Sequence, residues 1–302
     1  MRLATLIASF LSVAALVAAE PAAPTAYKAN GVLGKGKFST ISSVCVAADG
    51  TVLVAGDSKV IAYTPEGKET GTVNVGFPVN SAAIDSKNRI FAGGSLREGK
   101  DGRERKAAFA VFGPKGEKLD AFAAVATTAR SVSGLAVHND ELVIFDTVGR
   151  CIHRFSADGK LIATIGKNLG TCCGILDGDV AADGTIYLAH LGAHRVDAFD
   201  NTGASKPLFG TYGKAIEQFT GCCNPVSLAV TPEGNIITTE KTTPRVKVYK
   251  PDGTLLASIS EEKFSPRCGQ MDVAVDAKGN IYVADDGAQI VKIFSPVPAG
   301  KP

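Results

Sequence analysis

The 302-residue chain has no tryptophan and only 2 methionines, so any aromatic platform must come from its 6 tyrosines or 14 phenylalanines. Charge of one sign is also missing. The 32 basic and 30 acidic side chains leave a formal net charge of +2, with no run of five like charges. Neither nucleic acid nor an anionic membrane surface is expected as a partner. After the first twenty residues no apolar run is long enough to span a bilayer, so no membrane span is expected. Catalytic signatures are absent too: there is no GxSxG elbow, no phosphate-cradling loop, no HExxH and no CxxC. Past the N-terminal segment no stretch shows a convincing 3.6-residue period.

What is present begins with a targeting pattern. Arg2 supplies a charged start, Leu6 to Ala18 is apolar apart from two serines, and Val17 and Ala19 occupy the small-residue positions before a cut. Residues 1–19 are therefore expected to be a signal peptide, and 20–25, with Pro21 and Pro24, a flexible lead-in. Such a leader sends the protein to a periplasm or outside the cell, where disulfides are permitted. All 7 cysteines lie after the cut, and an odd number cannot all pair internally.

The strongest signal is internal repetition. Asp272–Phe294 (DVAVDAKGNIYVADDGAQIVKIF) has counterparts at Asp179–Phe199, Ser227–Tyr249, Gly134–Phe155, Ser81–Phe112 and Ser43–Tyr63. These six units recur roughly every 40–50 residues, the period of propeller arrays. Within each, short apolar runs alternate with turn pairs such as Asp49-Gly50, Lys87-Asn88, Asp183-Gly184 and Lys278-Gly279. A fourth strand ends most units, as at Leu161–Ile165 and Leu255–Ile259. The second unit carries a charged insertion, Arg97 to Lys106, expected to be a solvated hairpin.

The run Gly279 to Asp285 (GNIYVAD) and the run Gly192 to Val196 (GAHRV) resemble the NHL family of β-propellers, and the resemblance covers nearly all of the mature chain. It implies an all-β, six-bladed propeller of four-stranded antiparallel blades. Residues 26–297 would form this single domain and 298–302 a tail. The last unit has no fourth strand after Phe294, so Ala26–Leu33 is expected to supply it and close the ring. A monomer is expected.

Laid on the repeat, the cysteines form a pattern. Cys173, Cys223 and Cys268 each lie eleven residues before the turn glycine of units 4, 5 and 6. Cys172 and Cys222 precede the first two, Arg267 the third, and Arg130 holds the same register in unit 3. In NHL-type propellers this point lies at the channel mouth where the innermost strand begins. The residues ending each second strand, Asp146, His190, Glu240 and Asp285, would open on the same face, with Gly56 and Gly94 in blades 1 and 2. Asp179 and Asp272 are placed at one register of the innermost strands, lining the channel below. Cys45 and Cys151 fall on strands, where a small buried hydrophobe is expected.

Three functions remain open. The five clustered cysteines suit a binding or redox module, as vicinal disulfides, as a cross-bridge between loops, or as thiolates for Cu, Zn or an iron–sulfur cluster. In that case Cys173, Cys223 and Cys268 are the metal ligands, and Arg130 and Arg267 favour the thiolate form. Alternatively, His190, Glu240, Asp285, Asp146 and Arg130 could serve a metal-dependent hydrolase or lyase on that face. No motif matches the peptide-amidating lyases or gluconolactonases that share this kind of fold. The third reading is a structural protein-interaction propeller whose disulfides are staples. A protein or small-molecule ligand is expected on the face of blades 3–6.

Overall fold

Each repeat unit folds as a four-stranded antiparallel sheet, and six such sheets build a propeller. The structure, a computed structural model, describes residues 26–99, 104–265 and 269–297. The innermost strands are Ile41–Val46, Ser81–Ile84, Gly134–His138, Asp177–Val180, Ser227–Val230 and Met271–Val275. Each touches the innermost strands of both neighbouring blades, so the six close around a central channel.

The strand sequences explain this packing. A middle strand is covered by a neighbouring blade on each face, so it reads as a continuous apolar run rather than an alternating one. Val52 to Gly56 is buried at every position, as is Ile281 to Asp285. The outermost strand faces water, and Glu69–Asn74 is exposed along nearly its whole length. Tight turns link the strands. Gly50, Gly184, Gly234 and Gly279 adopt φ of +86°, +86°, +83° and +77°, a region glycine enters without a Cβ clash. Asn88, at φ +57°, fills that role in blade 2.

The expected closure is present. Ala26–Leu33 pairs antiparallel with Ile290–Val297, from Ala26 opposite Val297 to Leu33 opposite Val291. Blade 6 thus joins the two ends of the chain in one sheet, and the ring cannot open without breaking that ladder. The charged insertion of blade 2 extends its second and third strands, whose ladder runs out to Glu98 opposite Glu104. Its tip, residues 100–103, lies outside the described residues. Helix is confined, among the described residues, to Ala124–Thr128 and two 3-10 turns. None of these is long and apolar enough to cross a membrane.

One expected register is corrected. Pairing places Asp177, not Asp179, level with Ser43, Ser81, Gly134, Ser227 and Asp272. The repeated Asp-Val pair at 179 and 272 suggested the wrong alignment; the turn glycines Gly184 and Gly279 give the right one.

Candidate functional site: sulfurs and buried pairs at the mouth of blades 3 to 6

Two loops carry the sulfurs. One enters blade 4 and holds Cys172 and Cys173; the other enters blade 5 and holds Cys222 and Cys223. In the first, the Ile175 N–H bonds the Cys172 carbonyl at 3.1 Å, and Cys173 between them turns at φ +57°. That turn aims Cys173 outward and leaves it exposed. In the second, Asn224 is fully buried and bonds both the Lys241 N–H and carbonyl, at 2.9 and 3.1 Å. It fixes Cys223, which is 2% exposed, among Ile175, Leu191 and Val226.

The outcome is a bridge between loops: Cys172 and Cys223 form a disulfide, with their Cα atoms 6.3 Å apart. Neither vicinal pair is bonded. Cys173 Sγ lies 3.4 Å from Cys172 Sγ and 4.0 Å from Cys223 Sγ, and Cys222 is an exposed free thiol. The three sulfurs of Cys172, Cys173 and Cys223 all lie within 4.8 Å of one another. Sulfurs held about 2.3 Å from one ion sit roughly 3.8–4.0 Å apart, so the cluster has the dimensions of a thiolate metal site once the disulfide is opened. Cys268 and Arg267 lie outside the described residues. Arg130 is exposed, and its backbone N–H bonds Asp146 at 2.7 Å.

The carboxylates and the histidine of the same face are each bound up within their own blade. Each pairs with the residue seven positions on, in the third strand. His190 Nδ1 meets Asp197 at 2.5 Å, Glu240 meets Lys247 at 2.8 Å, Asp285 meets Lys292 at 2.6 Å, and Asp146 faces His153 at 3.4 Å. Each also accepts an N–H from the incoming loop: Arg130 to Asp146, Gly170 to His190 Nε2, Thr220 to Glu240, Ser265 to Asp285. Glycine replaces them in blades 1 and 2 because there the loop comes too close. A Cβ on Gly56 would strike the Thr40 carbonyl, and one on Gly94 the Pro78 carbonyl. Among the described residues, no cluster of three ligand atoms joins His190, Glu240 and Asp285.

These pairs shift their members. Burial opposes the Asp146 charge, but hydrogen bonds from His153, the Arg130 and Gly149 N–H groups and Ser131 outweigh it and hold the carboxyl low. Burial also opposes the His153 charge, yet the Asp146 and Cys151 contacts raise its pKa to about 9. Lys247 is pulled below the usual lysine range by burial, against the attraction of Glu240. Lys241 differs from all of these: it is fully buried and its ammonium has no hydrogen-bond partner among the described residues.

Below the mouth, Asp177, Asp179 and Asp272 line a channel cavity of about 150 Å³. Innermost strands have N–H groups facing inward with no strand to accept them, and side chains take that role. Ser43 accepts from Ala82, Ser81 from Leu135, Asp272 from Val44, and Asp179 from Val230, each across a blade boundary. Burial raises all three aspartates, Asp179 to about 6.

Sequence reasoning passed over two members of this region. His153 carries no mark of a site residue in the sequence, and Cys151 is expected there only as a small buried hydrophobe. Both face Asp146, with Cys151 Sγ 3.4 Å from His153 Nε2. The seven-residue spacing between the end of a second strand and its partner is the signal that finds His153, and Cys151 is the residue paired directly opposite Asp146.

No protein-family model matches the chain, and no curated protein matches it. Solved structures do. A structural-genomics protein of unknown function from Bacteroides thetaiotaomicron superposes with a TM-score of 0.62 at 15% identity, over 85% of this chain and 70% of that one. A catalytically inactive virginiamycin B lyase from Staphylococcus aureus, solved with quinupristin, gives 0.61 at 10% identity, over 90% of this chain and 100% of that one. Luciferin-regenerating enzyme gives 0.62 at 16%, over 85% and 92%. At such identities the likeness shows the propeller fold alone.

Proposed function

We propose that this chain is an exported NHL-type propeller whose sulfur cluster, between blades 4 and 5, alternates between a disulfide and a thiolate set that holds a soft metal. The observation that carries this reading is the approach of three sulfurs, from two loops on neighbouring blades, to within 4.8 Å of one another. A staple needs only two of them. Opening the Cys172–Cys223 bond takes two electrons and two protons from an external dithiol, and metal binding then releases the thiol protons. Thiolate ligands favour Cu(I), Zn(II) or an iron–sulfur cluster. Cys222 is the candidate among the described residues to complete the ligand set, and Cys268, outside them, is the candidate the repeat register adds. The face of blades 3–6 around this site is where a protein or small-molecule partner would dock.

The test is elemental analysis with a thiol count on the same sample. Protein reduced anaerobically and offered Cu(I), Zn(II) or iron with sulfide should retain metal that the oxidised protein does not. Cys173→Ser should weaken that retention by at least about 10-fold. Equal metal content in reduced and oxidised protein would leave the sulfurs as a staple and the propeller as a scaffold.

A further inference from the structure

Blade 3 departs from its neighbours at the two positions facing its buried carboxylate. In blade 5, Glu240 is flanked by Arg245 at 3.0 Å and Lys247 at 2.8 Å. In blade 3 the strand pairing puts Cys151 opposite Asp146, where Arg245 stands opposite Glu240, and His153 two residues on, where Lys247 stands. Both cations have been replaced by side chains that bind metals. The change sets a thiol and an imidazole against a carboxylate that is as fully buried as Glu240.

We propose that Asp146, Cys151 and His153 form a second metal site, for Zn(II) or a similar borderline divalent ion, independent of the sulfur cluster at the mouth. Their oxygen, sulfur and nitrogen lie within 4.8 Å of one another, and all three residues are buried. His153 Nδ1 is engaged by Thr164 Oγ1 at 2.9 Å, which leaves Nε2 turned to the cluster, 3.4 Å from Cys151 Sγ and 3.4 Å from Asp146 Oδ2. A hydrogen bond on the far ring nitrogen fixes the ring and its tautomer, the role that outer partners play for a ligating histidine. The two carboxylate oxygens are unequal. Oδ1 accepts from the Ser131 N–H, the Ser131 hydroxyl and the Gly149 N–H, whereas among protein donors other than His153, Oδ2 accepts the Arg130 N–H alone. Oδ2 therefore keeps a lone pair on the cluster side. Gly149 roofs the site: a Cβ there would collide with Asp146 Oδ2 and come 3.2 Å from Cys151 Sγ. The glycine keeps open the space beside these two ligand atoms. Three protein ligands leave the fourth position of a tetrahedral ion for water. The ion takes over the charge that Arg245 and Lys247 supply in blade 5, and displaces the protons held by Cys151 and His153.

The experiment uses the full chain with Cys173→Ser, Cys222→Ser and Cys268→Ser, oxidised and free of reductant, so that the Cys172–Cys223 disulfide stays closed and the mouth offers no thiol. Chelator-treated protein is titrated with Zn(II), and with Co(II) as a spectroscopic probe. One equivalent should bind, and Co(II) should give a thiolate-to-cobalt absorption band. Adding Cys151→Ala should abolish the band and weaken Zn(II) binding at least about 10-fold. His153→Lys should do the same while rebuilding the carboxylate–lysine pair of blades 5 and 6, so it keeps the fold even if Cys151→Ala does not. Absence of the band in the three-serine protein overturns the proposal, as does unchanged affinity in either added variant. The mouth site is silent in this protein, so these outcomes leave the proposed function standing or falling separately.

Discussion

Lys247 Nζ lies 2.8 Å from Glu240 Oε1, and neither side chain exposes any surface. The pair is one copy of a device found in blades 3 to 6, where a second-strand residue meets a third-strand partner seven positions on and also ties down the incoming loop. An ion pair in this setting gains little over apolar packing, but breaking one half leaves a stranded charge. Glu240→Ala should therefore cost about 3–5 kcal/mol in equilibrium unfolding, and Glu240→Leu with Lys247→Met should recover most of it. If the single variant costs no more than the double, the pair does not hold blade 5 together.

The same device tests the alternative that this face is a hydrolytic centre. His190 gives one nitrogen to Asp197 and the other to the Gly170 N–H. His190→Gln keeps a donor and an acceptor, so it should preserve far more stability than His190→Ala, by roughly 1–2 kcal/mol in thermal unfolding. A lactone, ester or peptide substrate turned over by the native protein and lost in both variants alike would instead make His190 a catalytic residue.

The fold was legible in the sequence because its signals are local and sixfold repeated. Turn glycines set the strand ends, and the missing fourth strand after Phe294 pointed to Ala26–Leu33. The placing of Cys172, Cys173, Cys222 and Cys223 on the loops that enter blades 4 and 5 follows from that register. Their pairing does not: Cys172 and Cys223 are at non-equivalent positions, and what joins them is the outward turn at Cys173 and the anchoring of Cys223 by its neighbour Asn224. Neither depends on the repeat. The buried pairs were hidden for another reason. Their members change from blade to blade, Asp146–His153, His190–Asp197, Glu240–Lys247 and Asp285–Lys292, with acid and base exchanged in blade 4, so no single motif repeats.

The channel aspartates predict a pH dependence. Burial raises Asp179 to about 6, above the 3.8 expected for it in the unfolded chain. The folded protein therefore holds this proton more tightly. The stability it confers is complete below about pH 4, falls as pH rises through 6, and is absent above. Asp177 and Asp272 act with the same sign. Asp179→Asn should raise stability at pH 8 by up to about 3 kcal/mol while changing little at pH 4. A variant that gains equally at both pH values would show that the gain does not come from this proton.

Lys241 presents the opposite case, a buried cation with no hydrogen-bonding partner among the described residues. Replacing such a charge by an apolar side chain of similar length removes a desolvation cost. Lys241→Met should raise stability by about 1–3 kcal/mol, seen as a rise of several degrees in the unfolding midpoint. A loss of stability would mean that an anion held at this corner of blade 5 offsets the charge.

The sulfur cluster predicts that its disulfide is mobile. A Cys173 thiolate can attack either sulfur of the Cys172–Cys223 bond, forming a new S–S bond and expelling the other sulfur as a thiolate, with no oxidant consumed. Cys172 Sγ is nearer, at 3.4 Å against 4.0 Å. Attack there would expel Cys223, which is 2% exposed, as a thiolate in an apolar pocket. Attack on Cys223 instead expels the half-buried Cys172, whose charge water can reach, so the favoured product is Cys173–Cys223. Peptide mapping of oxidised protein, alkylated at acid pH after incubation at pH 8, should recover both Cys172–Cys223 and Cys173–Cys223 linkages. Cys173→Ser should leave the first alone. A single linkage in the native protein, unchanged by incubation, would show that the bridge is fixed, and recovery of a Cys172–Cys173 bridge would show that distance outweighs the burial of the leaving sulfur.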